Sequence, residues 1–376
     1  MTKYIIRRLL QALPIMLGVT ILSYGLISLA PGGPVEQLAF NNRMKPRERE
    51  ELRYKLGVSD PLPVQYLRWL LGDDWMRWDN DGDGEADGAI LIDLHAPELL
   101  ENGKPRIDES TGEIVRRAEA LPPGDRYGIL RGDFGNSFRY KRPAINVLVE
   151  RLPATLELGL VSFLVGTILG ILIGILAAIN RGRLFDQLSR VFAVIVNSIP
   201  NFGLALVLLI IFGSVLKILP LGGRCKTTLD ATCVPFPERL EYLVIPVIVL
   251  AAGAVAGYSR FMRASLLDVV SQDYIRTARS KGLHDRAVWM RHGIRNAMIP
   301  IATFIGPSIT FLLGGAAVTE TVLSWPGVGR SVVNAAVQRD HPVVMLVVVY
   351  VAIANILGYL LSDILYAVID PRIRYD

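Results

Sequence analysis

Residues 273–300 read DYIRTARSKGLHDRAVWMRHGIRNAMIP, and what stands on either side of them decides the fold class. The stretch carries Arg276, Arg279, Lys281, Arg286, Arg291 and Arg295 against Asp273 and Asp285, and apolar runs flank it. A short basic segment between two hydrophobic helices belongs on the cytoplasmic side of a membrane, where Lys and Arg accumulate. The rest of the chain agrees. Of its 376 residues 51% are hydrophobic, its mean hydropathy is +0.38, and the apolar residues come in long blocks rather than at amphipathic spacing. This is a membrane composition. The formal charge of +5 does not point to nucleic acid, because the basic residues stand beside the apolar blocks.

Working outward, Lys3, Arg7 and Arg8 precede an apolar run over residues 9–30. That run is longer than the core of a signal peptide and long enough to span a bilayer, and a proline falls where cleavage would occur. It is expected to be a retained first helix with a cytoplasmic amino terminus. Residues 31–151 are polar, rich in charge and proline, and hold short helical pieces in which Leu52, Leu56, Tyr66, Leu67 and Leu70 recur at near-helical spacing. Further spans are expected at 158–179, 191–216, 242–258, 297–318 and 343–369. The third is broken early by Asn197, Ser198, Pro200 and Asn201, the fourth contains Pro246, and the fifth contains Pro300 and Pro307. Six transmembrane helices return the carboxyl terminus to the cytoplasm. Segments 1–8, 180–190, 259–296 and 370–376 are then inside, and they hold most of the short-loop Lys and Arg.

Two outer loops remain. Residues 220–241 hold Cys225 and Cys233, which are either a local disulfide or two unpaired thiols. Residues 320–342 are semi-apolar and contain Trp325-Pro326-Gly327. Such a loop dips back into protein, since non-helical backbone at membrane depth must be buried.

No chemistry of the chain's own is visible. There is no phosphate-cradling G-x-x-x-x-G-K-[ST], no H-E-x-x-H and no G-x-S-x-G, and His95, His284, His292 and His341 are scattered. The chain is not expected to be an enzyme. An ion-driven carrier or channel needs charge at membrane depth, and its candidates are Glu157, Glu320 and Asp363 with Asn355. Their alternative role is helix packing. Residues 273–300 suit an external motor instead. From Ser265 onward Leu266, Leu267, Val269, Val270, Tyr274, Ile275 and Ala278 form an apolar helical face with charge opposite. Gly282 permits a sharp turn, and a second basic helix over 285–296 leads to Pro300. Such an element fits a groove in a cytoplasmic partner; the competing reading is a basic helix resting on anionic lipid.

Residues 274–283, YIRTARSKGL, followed by Arg291-His292 and Arg295-Asn296-Ala297, resemble the cytoplasmic loop of ABC-importer permeases. The resemblance narrows to the B-type subunit of the dipeptide, oligopeptide and nickel group. Further pieces are Tyr4 with Arg7-Arg8, residues 132–137 (GDFGNS), 198–202 (SIPNF), 320–329 (ETVLSWPGVG), Arg339-Asp340 and 370–375 (DPRIRY). It implies an all-α type I importer fold; the chain divides at 1–30, 31–151 and 152–376, with an enlarged outer domain between the first two helices. It also implies a coupling segment of Tyr274, Arg276, Thr277, Ala278, Arg279, Lys281 and Gly282, with Ala278 and Gly282 as a small-residue core. The implied partners are a second permease subunit, two ATP-binding subunits that alone bind ATP, and an external solute-binding protein. Peptides lead as substrate, with nickel complexes and oligosaccharides as alternatives. The generic motif begins Glu-Ala-Ala; here Thr277-Ala278-Arg279 stand in its place.

Two features go beyond that resemblance. The outer region is longer than it implies and contains Asp79, Asp81, Asp83, Glu85 and Asp87, alternate oxygen ligands with interspersed glycine over a loop at 79–90. These suit a calcium loop, although Ile90 stands where an EF-hand places its glutamate; the plain alternative is a solvated acidic turn. Asn197, Pro200, Asn201 and Pro307, at breaks in apolar helices, are either pore-lining positions or simple kinks. A membrane scaffold without transport is a third class.

Overall fold

A computed structural model describes residues 2–29, 44–82, 88–117, 127–226, 233–234, 236–302 and 304–369. Its elements divide into two compact units. The larger comprises Met1–Pro14, Glu150–Val333 and Tyr350–Asp376, and the smaller Ile15–Val149 and Asn334–Val349.

The larger unit is helical. Its long apolar helices are α4 (Ala144–Ile179) and α7 (Leu240–Val270), with parts of α1 (Thr2–Leu29) and α13 (His341–Ile369). These four are long and apolar enough to cross a bilayer. Helix α5 (Leu184–Ser198) and α6 (Asn201–Leu208, continued as a wide π turn Leu209–Val215) form a pair bent by 99°. The bend falls at Pro200, whose ring cannot continue the preceding turn. The expected third span is therefore two helices meeting at Pro200 and not one continuous helix.

The packing of α4 on α7 follows from glycine spacing. Gly166, Gly170 and Gly174 lie one turn apart, and a Cβ on each would sit 2.7 Å from the Cβ of Ala254, Tyr258 and Met262 respectively. Lipid tails are as apolar as leucine, so burial alone does not drive such helices together. Close backbone approach over small residues does.

The expected fifth span, 297–318, is not one helix. It is divided into α9 (Arg295–Ala302), α10 (Ile305–Gly314) and α11 (Ala317–Val322). Gly315, at φ +76° and ψ 163°, takes an extended conformation open to glycine, and α10 ends there. Beyond α11 the chain continues to α12 (Val328–Val337). The connection holds Leu323 and Trp325, both buried, and Val328 at the start of α12 is buried too. Trp325 packs with Ala154, Leu158 and Leu243, and its indole N–H donates to the Ala154 carbonyl at 2.9 Å. A disulfide joins Cys225 to Cys233.

The smaller unit holds α2 (Pro46–Leu56) and α3 (Leu62–Leu71), a two-residue antiparallel pair β1 (Arg77–Trp78) and β2 (Gly88–Ala89), and bridges Pro97↔Arg116, Leu99↔Pro105 and Ile107↔Ile114. Arg68 is buried and bonded to Asp73 and Asp60; a buried guanidinium is tolerated only when so paired. Tyr24, Tyr66 and Trp69 form a ring cluster with centroids 5.5–5.8 Å apart, and the Thr20 and Tyr66 hydroxyls are 2.9 Å apart. Asp340 is buried and accepts from Ser137 Oγ, Phe138 N (3.0 Å) and Arg139 N (3.3 Å).

Candidate functional site

The basic stretch folds into α8 (Asp273–Ser280), a two-turn helix separated from α7 by Ser271 and Gln272 alone. One face is apolar: Ile275 and Ala278 are buried with Val288, against Val269. The other face presents Arg276, Thr277 and Arg279, all exposed, followed by exposed Lys281. Asp273 lies in the first turn and Arg279 in the last, the order that complements the helix dipole. Tyr274 lies at the side and accepts a hydrogen bond from Asn296 Nδ2 at 3.1 Å.

The expected small-residue core of Ala278 and Gly282 takes a different form. Ile275 partners Ala278 on the buried face, while Gly282 is exposed, and a Cβ there would meet nothing within 4 Å. Gly282 acts through its backbone instead: at φ +77° it closes α8, its N–H donating to the Arg279 carbonyl at 2.9 Å. The expected basic helix over 285–296 is likewise irregular. One turn, Asp285–Ala287, passes into a π segment, Val288–Ile294, before α9. Gly293 sits there against Leu266, with its Cβ position 3.3 Å from that side chain. A groove of about 560 Å³ runs beside α8, lined among others by Ser265, Asp268, Gln272, Tyr274 and Asn296.

A second cavity, of about 420 Å³, opens between α4, α6, α7 and α10. The Tyr258 and Ser308 hydroxyls meet across it at 2.8 Å, and Phe261 stacks on Phe304 at 4.4 Å between centroids. None of its lining residues carries a formal charge. Of the pore candidates Asn201 lines it. Asn197 and Pro200 are exposed and are not among its lining residues, and the Pro307 side chain lies outside the described residues. Tyr258, Phe304 and Ser308 were missed by sequence reasoning. The available signal was Gly253-x-x-x-Gly257 followed by Tyr258, small residues that leave room beside an aromatic one.

The carboxylates that an ion-driven carrier would use are all engaged. Glu157 pairs with Arg224 and with Arg239, the latter at 3.0 Å. Asp363 pairs with Arg8 at 3.1 Å. Glu320 is buried and accepts from the backbone N–H of Arg330 (2.9 Å) and Ala316 (3.3 Å) and from the Thr155 hydroxyl (3.4 Å). Gly315, Gly327 and Gly329 surround it so closely that a Cβ on any of them would lie 2.5–2.9 Å from its carboxylate oxygens. Of the acidic run, Asp79 accepts from Gly82 N at 2.6 Å, whereas Asp83, Glu85 and Asp87 lie outside the described residues. Among the described residues no group of three His, Cys, Asp or Glu is placed to hold a metal.

Two family models match the chain. "Binding-protein-dependent transport system inner membrane component" covers residues 170–375, and the corresponding N-terminal model covers residues 1–79. The chain belongs to this family of transport-system membrane components. Among its relatives, the oligopeptide transport system permease protein AppB of Bacillus subtilis is 35% identical, with all of both chains covered. The dipeptide transport system permease protein DppB of Escherichia coli is 31% identical over all of this chain and 99% of its own length. A putative peptide permease of Brucella suis is 32% identical over the same shares. A solved methionine ABC transporter, MetNI in inward-facing form, aligns with 59% of this chain and 97% of its own at 19% identity and a TM-score of 0.43.

Proposed function

We propose that this chain is one membrane-spanning half of an ABC importer for peptides, driven by ATP hydrolysis in partner subunits. It pairs with a second permease, two ATP-binding subunits and an external binding protein, and crosses the membrane six times with both termini in the cytoplasm. The observation that carries this reading is α8, a helix anchored by Ile275 and Ala278 whose Arg276, Thr277 and Arg279 face outward. In this reading α8 seats in a groove of an ATP-binding subunit, and the motor's closure displaces it. The motion passes along α7, which also walls the cavity at Tyr258, so the cavity changes its access from one side to the other. Peptide as substrate is supported by the names of the relatives and by a cavity that offers aromatic faces and hydroxyls rather than charge. The disulfide-closed segment, tied to α4 through Arg224 and Glu157, braces the outer end.

An ion-coupled carrier is the second reading. It has less support, because Glu157, Glu320 and Asp363 each have structural partners. The acidic run 79–87 is retained as a calcium turn, supported by its alternate oxygen ligands; calorimetry on the full chain that finds no calcium-dependent heat removes it. The main test is reconstitution of the four-subunit complex in liposomes with the binding protein and labelled oligoalanine peptides. Uptake that requires ATP and the binding protein supports the proposal. Uptake that follows an imposed proton gradient without ATP refutes it.

A further inference from the structure

We propose that Asp186 is a positioning residue for the transport cycle, and that its two-pronged bond to Arg263 makes the bent pair α5–α6 follow α8 when α8 is displaced. This rests on reading α8 as the docking element. Asp186 is 1% exposed. It accepts from Arg263 Nε at 2.5 Å and Nη2 at 2.8 Å and from Gly182 N at 2.9 Å, with Arg190 Nε at 3.6 Å. Both of its oxygens are engaged by donors from α7 and from the turn before α5.

The location gives this bond its consequence. Arg263 lies on α7, ten residues before Asp273, and α7 continues unbroken to Val270. Gln272 N then donates to the Val269 carbonyl at 3.1 Å, so the joint to α8 is held. On another side of this lever Ser265 Oγ donates to the Ala297 carbonyl at 2.9 Å, and Leu266 packs with Ala297 and Ile301. The end of α7 that carries α8 is thereby fixed to α9 by Ser265 and to α5 by Arg263.

Helix α5 packs against α7 along one narrow side. Asp186 and Ala193 are its buried residues, while Leu184, Leu188, Val191, Val194 and Ile195 are exposed. Apolar contact is non-directional, whereas a bidentate guanidinium–carboxylate bond fixes orientation. The Asp186–Arg263 bond therefore sets the register of α5 on α7. Helix α5 leads through the 99° bend to Asn201 on the cavity wall. A displacement of α8 then reaches the cavity by a second route, besides α7 itself.

The test uses the whole complex in liposomes, with labelled oligoalanine, the binding protein and ATP. Asp186→Asn keeps the shape and removes the charge. It is expected to assemble and to hydrolyse ATP at the wild-type rate, yet to move roughly 5–10-fold less peptide per ATP. The exchange Asp186→Arg with Arg263→Asp should recover part of that ratio. An unchanged ratio in Asp186→Asn overturns the proposal, as does a proportional fall of hydrolysis and transport, which is what a purely structural residue would give. If Asp186→Asn does not assemble, Arg263→Lys, which keeps the charge and loses the fork, is read by the same ratio. Failure of the docking reading shows up separately, as absence of cross-linking between Lys281→Cys and the ATP-binding subunit in an otherwise unaltered chain.

Discussion

Asp363 on α13 meets Arg8 on α1 at 3.1 Å. This pairing separates two mechanisms that share a helical membrane scaffold. A carboxylate that loads and unloads a proton or sodium ion must change partners during each cycle, whereas one that pairs two helices need not. Both residues lie on helices long and apolar enough to cross a bilayer, and the pair joins one helix to the other. Asp363→Asn should therefore keep ATP-driven uptake within about fivefold of wild type, and collapsing the proton gradient at constant ATP should leave that uptake unchanged. Uptake measured in liposomes with and without an ionophore checks both.

The glycine ridge of α4 predicts a stability effect. At Gly170 an added Cβ would lie 2.7 Å from Tyr258 Cβ and 3.2 Å from Val255 Cα, and neither atom is the movable tip of a side chain. Gly170→Ala should destabilise the chain by about 1–3 kcal/mol, and Gly170→Leu more. Gly253→Ala, with nothing within 4 Å of its Cβ position, should leave the melting temperature of the purified complex near wild type.

In the smaller unit Arg131 bonds both oxygens of Asp74 and holds its carboxyl at about 2, below its ordinary 3.8. A depressed folded-state value stabilises at pH above 3.8, and that contribution is lost as pH falls through 2. The groups are 43% and 41% exposed, so solvent screening keeps the effect small. Asp74→Asn should be slightly less stable than wild type at neutral pH and equal to it once pH is below the folded value. Acid titration followed by the fluorescence of neighbouring Trp75 reads the difference.

Asp340 predicts a further stability loss in this unit. Asp340→Ala leaves Ser137 Oγ, Phe138 N and Arg139 N without their shared acceptor; of these Ser137 is buried, and a stranded buried donor costs about 1–3 kcal/mol. Proteolysis of the segment 127–143 should accelerate, whereas Ser137→Ala, which removes one donor and keeps the acceptor, should change it less.

Much of this was legible from apolar block length and charge placement. Helices α1, α4, α7 and α13 lie where long uninterrupted apolar runs stand, because a bilayer-length run leaves the backbone few other ways to satisfy its hydrogen bonds. The break at Pro200 was readable from proline itself. The division of 297–318 was harder, since Pro307 falls in the first turn of α10, where proline is tolerated, and the interruption depends on the positive-φ backbone of Gly315. The motif pieces at 132–137 and 339–340 could be recognised but not connected; that they meet at Asp340 is a tertiary fact without a local signal. Ile275 was seen as apolar, yet its burial instead of Gly282 depends on Val288, which the irregular turn after Asp285 brings back.

In the proposed importer the exposed face of α8 touches an ATP-binding subunit. Both cysteines of the chain are bound in the Cys225–Cys233 disulfide, so Lys281→Cys or Arg276→Cys introduces a single addressable thiol. In membranes carrying the full complex, a short thiol-to-amine cross-linker should join either position to the ATP-binding subunit, with a yield that changes when ATP is added. Absence of that adduct at both positions, in complexes that still assemble and take up peptide, would contradict the account.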